Sequence, residues 1–167
     1  SKAKDFSRLR AFIEDLNSVA DDEFVAWFEK NLDVPKFLSC LVVSNFISNW
    51  DGYPQRPKNF WLYQIPSAQR WVYIPWDMDG TFQSKTFILN AMGTESSIFY
   101  QFDETLPYGG HPEEGTARPL VRRAMQQPSI RSAYVARYRE ALRSFLDKDS
   151  VLTRADALAQ LLVSVVG

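Results

Sequence analysis

Two short runs of aromatic and β-branched residues, 59–65 (NFWLYQI) and 71–74 (WVYI), lie side by side in a chain otherwise patterned for helices. Pro66, Ser67, Ala68, Gln69 and Arg70 separate them, which predicts a β-hairpin with a short loop. Both faces of both runs are largely apolar, so the expected hairpin is covered on two sides. No alternation of strands and helices follows Thr81, which argues against a parallel sheet.

The flanks carry helical spacing. Leu9, Phe12, Ile13 and Leu16 recur along a first helix, with Asp5 and Ser7 as candidate caps. Acids at 21–23 suit the start of a second, whose apolar face is Phe24, Val25, Trp27 and Phe28. Asp33 and Pro35 open a third with the stripe Val34, Phe37, Leu38, Leu41, Val42 and Ile47. Ser44, Asn45 and Ser48 interrupt that stripe where a site would begin. Residues 82–114, rich in Gly and Pro, predict a long ordered loop or insertion. Pro119 and Pro128 open two further helices, the second carrying Ile130, Tyr134, Val135, Tyr138, Leu142 and Phe145. A last one runs from about Ser150 or Thr153 through Val163. The fold class is therefore mainly α with a small central hairpin (α+β), in a single domain over residues 1–167.

Composition narrows the chemistry. A hydrophobic fraction of 46% and an aromatic fraction of 14% exclude a disordered tail. Nineteen basic against twenty acidic residues give a net charge of −1, so nothing global points to nucleic acid or an anionic membrane. No apolar run reaches the roughly 20 residues of a membrane span. Cys40 and His111 are the single cysteine and histidine, which excludes an intrachain disulfide and leaves too few ligands for a Cys/His zinc site. With His111 read as a loop residue, no Ser-His-Asp triad or Cys-His dyad is expected. Acid–base chemistry must then fall to carboxylates. Cys40 is expected as a buried thiol and His111 as an exposed loop residue. Residues 1–10 are polar and basic, with no leader pattern, and the chain reads as part of something longer.

Carboxylates cluster around the hairpin. Asp51 lies in a loop broken by Gly52, Pro54 and Pro57, Asn59 opens the first strand, and Asp77 and Asp79 follow the second. A hairpin sets its two ends side by side, so distant residues can share a metal. Phosphoryl transfer needs such a set: a carboxylate to orient the attacking hydroxyl and oxygen ligands for a phosphate-bridging metal.

Three segments, Asn49-Trp50-Asp51, Asn59-Phe60-Trp61-Leu62-Tyr63 and Pro75-Trp76-Asp77-Met78-Asp79, together resemble the core of the CotH family, the spore-coat-protein-H-like atypical kinases. The resemblance extends through the later helices and covers most of residues 30–160. It implies the large C-terminal lobe of a kinase-like fold and ATP-dependent phosphorylation of protein Ser/Thr with Mg²⁺ or Mn²⁺. By position, Asp51 would be the catalytic carboxylate, and Asn59 and Asp77 metal ligands. Asp79 would be a second ligand or a structural partner, and Lys58 would touch a phosphate. The family resemblance also implies a spore-coat or extracytoplasmic location. The Asp51-to-Asn59 spacing is eight positions, against about five in ordinary kinases. No Gly-rich strand-loop-strand or strand-borne Lys precedes the first helix, so the partner expected is an N-terminal lobe of the same protein. Without it, little or no activity is expected.

Two other readings compete. The run YIPWDMDGTF also matches the first motif of haloacid-dehalogenase-like phosphatases, with Asp77 as nucleophile and Asp79 as general acid. A non-catalytic module would make Asp51 a turn residue and Asp77-x-Asp79-Gly80 part of a Ca²⁺ loop, although Thr81 and Gln83 hold the next ligand positions and no bidentate Glu follows in place. Arg118, Arg122 and Arg123 are expected on a solvated helix face. Trp50, Trp61, Trp71 and Trp76 are expected as core and cleft wall.

Overall fold

The computed structural model describes residues 5–54, 56, 58–82, 97–99, 102 and 118–166. Helix α1 (Ser7–Ser18) starts after Phe6, and Asp5 Oδ1 accepts the Ser7 N–H at 2.9 Å just ahead of it. Helices α2 (Phe24–Asn31) and α3 (Val34–Phe46) meet at Leu32 and Asp33. Asp33 caps α3 as expected, accepting the Lys36 N–H at 3.2 Å, and Pro35 stands in the first turn, where its missing donor is harmless.

Strands β1 (Phe60–Ile65) and β2 (Arg70–Pro75) form the predicted hairpin, antiparallel with Leu62 opposite Tyr73 and Gln64 opposite Trp71. The α2–α3 junction is stitched to it: Asp33 N–H donates to the Trp71 carbonyl at 2.8 Å. Helices α4 (Pro119–Gln126), α5 (Pro128–Leu142) and α6 (Lys148–Val166) complete the described elements. Helices around one two-stranded hairpin is the α+β content expected from the sequence.

An aromatic chain runs from the helices to the hairpin. Phe28 meets Phe37 edge-on at 5.8 Å, Phe37 meets Tyr73 at 5.4 Å, and Tyr73 stacks on Phe60 at 5.7 Å. Phe60 in turn lies 4.5 Å from Tyr53, in the loop that carries Asp51. Each such ring contributes burial of about 1.5–3 kcal/mol plus ring geometry. The core thus reaches directly under the loop.

Several expectations are corrected. Among the described elements, α3 and α2 pack on the hairpin face of Tyr73 and Trp71, while the opposite face is buried at Val72 and largely exposed elsewhere. Trp61, Tyr63 and Ile74 on the opposite face are exposed, as is Trp76 beyond it, whereas Trp71 is core. Ser44 and Asn45 are buried structural groups. Asn45 accepts from the Tyr138 hydroxyl at 3.0 Å and donates to the Ile98 carbonyl at 3.1 Å, tying α3 to α5. Helix α5 ends at Leu142, so Phe145 lies outside it, and both are exposed. Cys40 is half-buried, and burial pushes its thiol up. His111 and most of the expected 82–114 loop lie outside the described residues.

Candidate functional site

The chain leaves α3 at Ile47 and turns sharply at Ser48, whose φ is +53°. Asn49 follows, almost fully buried, with its backbone N–H on the Ser44 carbonyl at 2.9 Å. Its amide lies so close to Gly52 that a Cβ there would meet Nδ2 at 2.7 Å. Loop residues 49–52 therefore form a tight turn that delivers Asp51. Its far side is pinned by α4: Arg118 Nη1 donates to the Pro54 carbonyl, and the Leu120 N–H donates to the Tyr53 hydroxyl at 3.3 Å.

Asp51 sits in a ring of donors. Arg56 Nη1 reaches Oδ1 at 2.7 Å, Lys58 Nζ reaches Oδ2 at 2.8 Å, and Asn59 Nδ2 reaches Oδ2 at 3.0 Å. Asn59 Nδ2 also donates to the Asp51 backbone carbonyl at 3.0 Å. These bonds orient the amide, since the reverse orientation would set an amide oxygen against a carboxylate. Asn59 Oδ1 is the atom left to accept or to ligate. Asn59 holds φ at +58°, a conformation Asn tolerates better than most residues.

The 77–80 segment lies against this loop. The Trp76 N–H donates to the Asn59 carbonyl at 2.9 Å, and the Trp50 N–H donates to the Gly80 carbonyl at 3.3 Å. A Cβ on Gly80 would come within 3.1 Å of Trp50 Nε1 and 3.2 Å of Asp51 Cβ. The Phe82 N–H then closes back on the Ile47 carbonyl at 2.7 Å. Asp77 and Asp79 are both exposed, and Asp77 holds φ at +52°. Of the five non-glycine positive-φ residues described, Ser48, Asn59, Asp77 and Phe82 border this region and only Gln69 does not. Such strained backbone tends to persist where surrounding structure over-determines it.

Among the described residues, no group of three or more His, Cys, Asp or Glu side chains surrounds one point that could hold a metal. Asn59 Oδ1 and the Asp77 and Asp79 carboxylates, on segments joined by backbone bonds, are oxygen donors of the type a hard divalent ion takes. Mg²⁺ in particular is held by one or two carboxylates plus substrate phosphates and waters, without an all-protein cage. The residues present fit such an ion.

Asp51 and Asn59 are in direct contact, Lys58 is bound to Asp51 and not set apart, and the segment of Asp77 and Asp79 is joined to them through backbone bonds. Arg56 was not singled out by the sequence, because a five-residue separation in an irregular loop defines no face. The solvated face expected for Arg118 and Arg123 is corrected, while Arg122 is partly buried. Arg118 is buried on the Pro54 carbonyl. Arg123 is buried against the Leu16 and Val19 carbonyls at 2.7 and 2.5 Å and lies over the Phe24 ring.

A family model described as CotH kinase protein matches residues 1–166. The chain is 23% identical to invasin CotH3 of Rhizopus delemar over 144 residues, 86% of this chain and 22% of that protein. It is 35% identical to invasin CotH2 of the same organism over 63 residues, 37% of this chain and 11% of that protein. It is 34% identical to the inner spore coat protein H of Bacillus subtilis over 73 residues, 44% of this chain and 19% of that protein. The chain thus spans less than a quarter of the length of these relatives.

Proposed function

The chain belongs to the CotH kinase family, and from that premise we propose that it carries the catalytic carboxylate and metal ligands of an ATP-dependent protein Ser/Thr kinase. The observation that supports this best is the Asp51 carboxylate, held by Arg56, Lys58 and Asn59 beside the segment bearing Asp77 and Asp79. The order of helix, Asp loop, Asn, hairpin and Asp-x-Asp is that of a kinase large lobe, which favours the same fold reading.

In this reading a Ser or Thr hydroxyl oxygen of a protein substrate attacks the γ-phosphorus of ATP, and its proton passes to Asp51. The bond from the γ-phosphorus to the bridging oxygen breaks, and its electron pair leaves with ADP. A Mg²⁺ or Mn²⁺ ion, when bound, neutralises phosphate charge. Asn59 Oδ1, Asp77 and Asp79 would hold it. Lys58, whose side chain is 50% exposed, has the freedom to turn from Asp51 to a phosphate oxygen. The phosphate-covering part of the pocket would come from an N-terminal lobe elsewhere in the whole protein. The relatives' names, invasin and inner spore coat protein, favour a spore-coat or extracellular place for this chain.

The phosphatase alternative needs a parallel sheet leading into Asp77. Among the described residues β2, which leads there, is antiparallel to β1 and has no other strand beside it. The test is phosphate incorporation from ATP by the full-length natural protein with Mg²⁺ or Mn²⁺. Asp51→Ala and Asp77→Ala are expected to abolish transfer. Unchanged transfer in both variants would overturn the assignment, and ATP-independent trapping of beryllium fluoride at Asp77 would favour the phosphatase.

A further inference from the structure

A carboxylate offers roughly four acceptor sites. On Asp51, Arg56 takes one on Oδ1, while Lys58 and Asn59 take both on Oδ2. The two cations are not equivalent. The Lys58 side chain is 50% exposed, whereas that of Arg56 is 12% exposed and its guanidinium lies 4.2 Å from the Trp50 ring centroid. A planar guanidinium stacked on an indole and bonded at its edge is fixed in orientation, which an ammonium on a flexible stem is not.

From this asymmetry we infer that Arg56 is a positioning residue for the Asp51 carboxylate, and that Lys58 is the cation whose departure opens Oδ2 to the substrate hydroxyl. The inference rests on the kinase reading and deepens it. With Lys58 turned to a phosphate, Arg56 on Oδ1 and Asn59 on Oδ2 still hold the two oxygens of the carboxylate. The acceptor site that Lys58 vacates on Oδ2 is then open to a hydroxyl donor. Trp50 serves two partners: its ring carries the Arg56 guanidinium, and its backbone N–H holds the Gly80 carbonyl. The orientation of Asp51 is thereby coupled to the Asp77–Gly80 segment through one residue.

The two cations predict different kinetic signatures. In the full-length natural protein, Arg56→Gln is expected to lower kcat for phosphate transfer about a hundredfold, the scale of a misplaced reacting group. Its KM for ATP should stay within about threefold of wild type, since transition-state alignment and not nucleotide binding is lost. Lys58→Ala is expected to act mainly on KM for ATP. Arg56→Lys keeps the charge without the stacked fork, and should recover only part of kcat. Guanidinium ion added to Arg56→Ala should restore activity several-fold and leave Lys58→Ala unmoved. If Arg56→Gln melts before assay, Arg56→Lys and the guanidinium rescue carry the test.

Wild-type kcat in both Arg56→Gln and Arg56→Lys would overturn the positioning role. So would a loss expressed in KM alone, or a rescue absent in a folded Arg56→Ala protein. Transfer by wild type together with its loss in Asp51→Asn keeps the kinase reading standing even then. No transfer by wild type, or full transfer by Asp51→Asn, would remove both.

Discussion

Asn59 Nδ2 donates to two oxygens of the same residue, the Asp51 backbone carbonyl and Asp51 Oδ2, each at 3.0 Å. One side chain thereby locks both the backbone and the carboxylate of the loop to the entrance of β1. The cost is a left-handed backbone at Asn59, which an Asn side chain accepts.

Asn59→Asp keeps the shape and the tolerance for positive φ, but replaces both donors with a second carboxylate beside Asp51. It is expected to cost about 1–3 kcal/mol of stability, the range for partners left unsatisfied. Phosphate transfer should fall about a hundredfold. Urea midpoints at unchanged slope check the first figure and phosphate incorporation the second. A midpoint equal to wild type would mean that these bonds contribute nothing to the folded state.

Two glycines separate tight packing from site alignment. At Gly52 a methyl would meet the Asn49 amide nitrogen at 2.7 Å, and Asn49 is buried with nowhere to retreat. Gly52→Ala is expected to destabilise by about 1–3 kcal/mol, as overpacking does. At Gly80 the nearest atoms stand at 3.1–3.2 Å on Trp50 and Asp51, so a shift of a few tenths of an ångström suffices. Gly80→Ala should therefore lower phosphate transfer more than it lowers stability. Melting curves beside transfer rates for both variants test the contrast, and a Gly80→Ala protein of wild-type activity would refute it.

The sequence disclosed the elements better than their surroundings. Asp33 and Pro35 announced α3 because a cap and a first-turn proline act locally. The hairpin was legible for the same reason. What covers each face is a tertiary matter: the alternation Phe60, Leu62, Gln64 against Trp61, Tyr63, Ile65 says which residues share a face, but apart from Gln64 all are apolar enough for either side. Helix α5 shows the limit again, since Ile130, Tyr134, Tyr138 and Ala141 are buried while Leu142 is exposed at the helix end. In the loop, Asp51 and Asn59 could be singled out by residue type and order. Arg56 could not, because irregular backbone has no period and its role comes from the ring of Trp50 beneath it.

Arg123 illustrates a buried charge that holds helices together. It donates to the Leu16 and Val19 carbonyls at the end of α1 and to Asp21 Oδ1 at 2.8 Å, while lying 4.5 Å from the Phe24 centroid. Arg123→Ala strands buried carbonyls as well as leaving a void, and is expected to cost about 3–5 kcal/mol. The Asp21 side chain is 85% exposed, so Asp21→Ala should stay within about 1 kcal/mol of wild type. Chemical denaturation of the two variants separates them. Equal losses would place the energy in the ion pair and not in the carbonyl bonds.

Alkaline pH probes the aromatic core that supports the loop. Burial pushes the hydroxyls of Tyr53, Tyr73 and Tyr134 well above the ordinary phenol value of 10.0, and the Leu120 N–H and then the nearby Arg118 only partly offset this at Tyr53. Above that value the unfolded chain loses these protons while the folded one keeps them, so the folded state binds more protons and stability falls as pH rises. Below about pH 10 their contribution is constant. These three groups alone contribute a slope of roughly 4 kcal/mol per pH unit between the unfolded and folded values, and Tyr138, also pushed up by burial, adds to it. A domain of ordinary stability, about 5–15 kcal/mol, should then unfold within a few pH units above 10. Tyrosinate absorbance from these residues should rise together with the loss of helical circular dichroism. Tyr73→Phe should flatten the slope by about 1.4 kcal/mol per pH unit, because it removes one of the three protons. Tyrosinate signal from all seven tyrosines appearing before any loss of helix would show that the rings reach solvent in the native state.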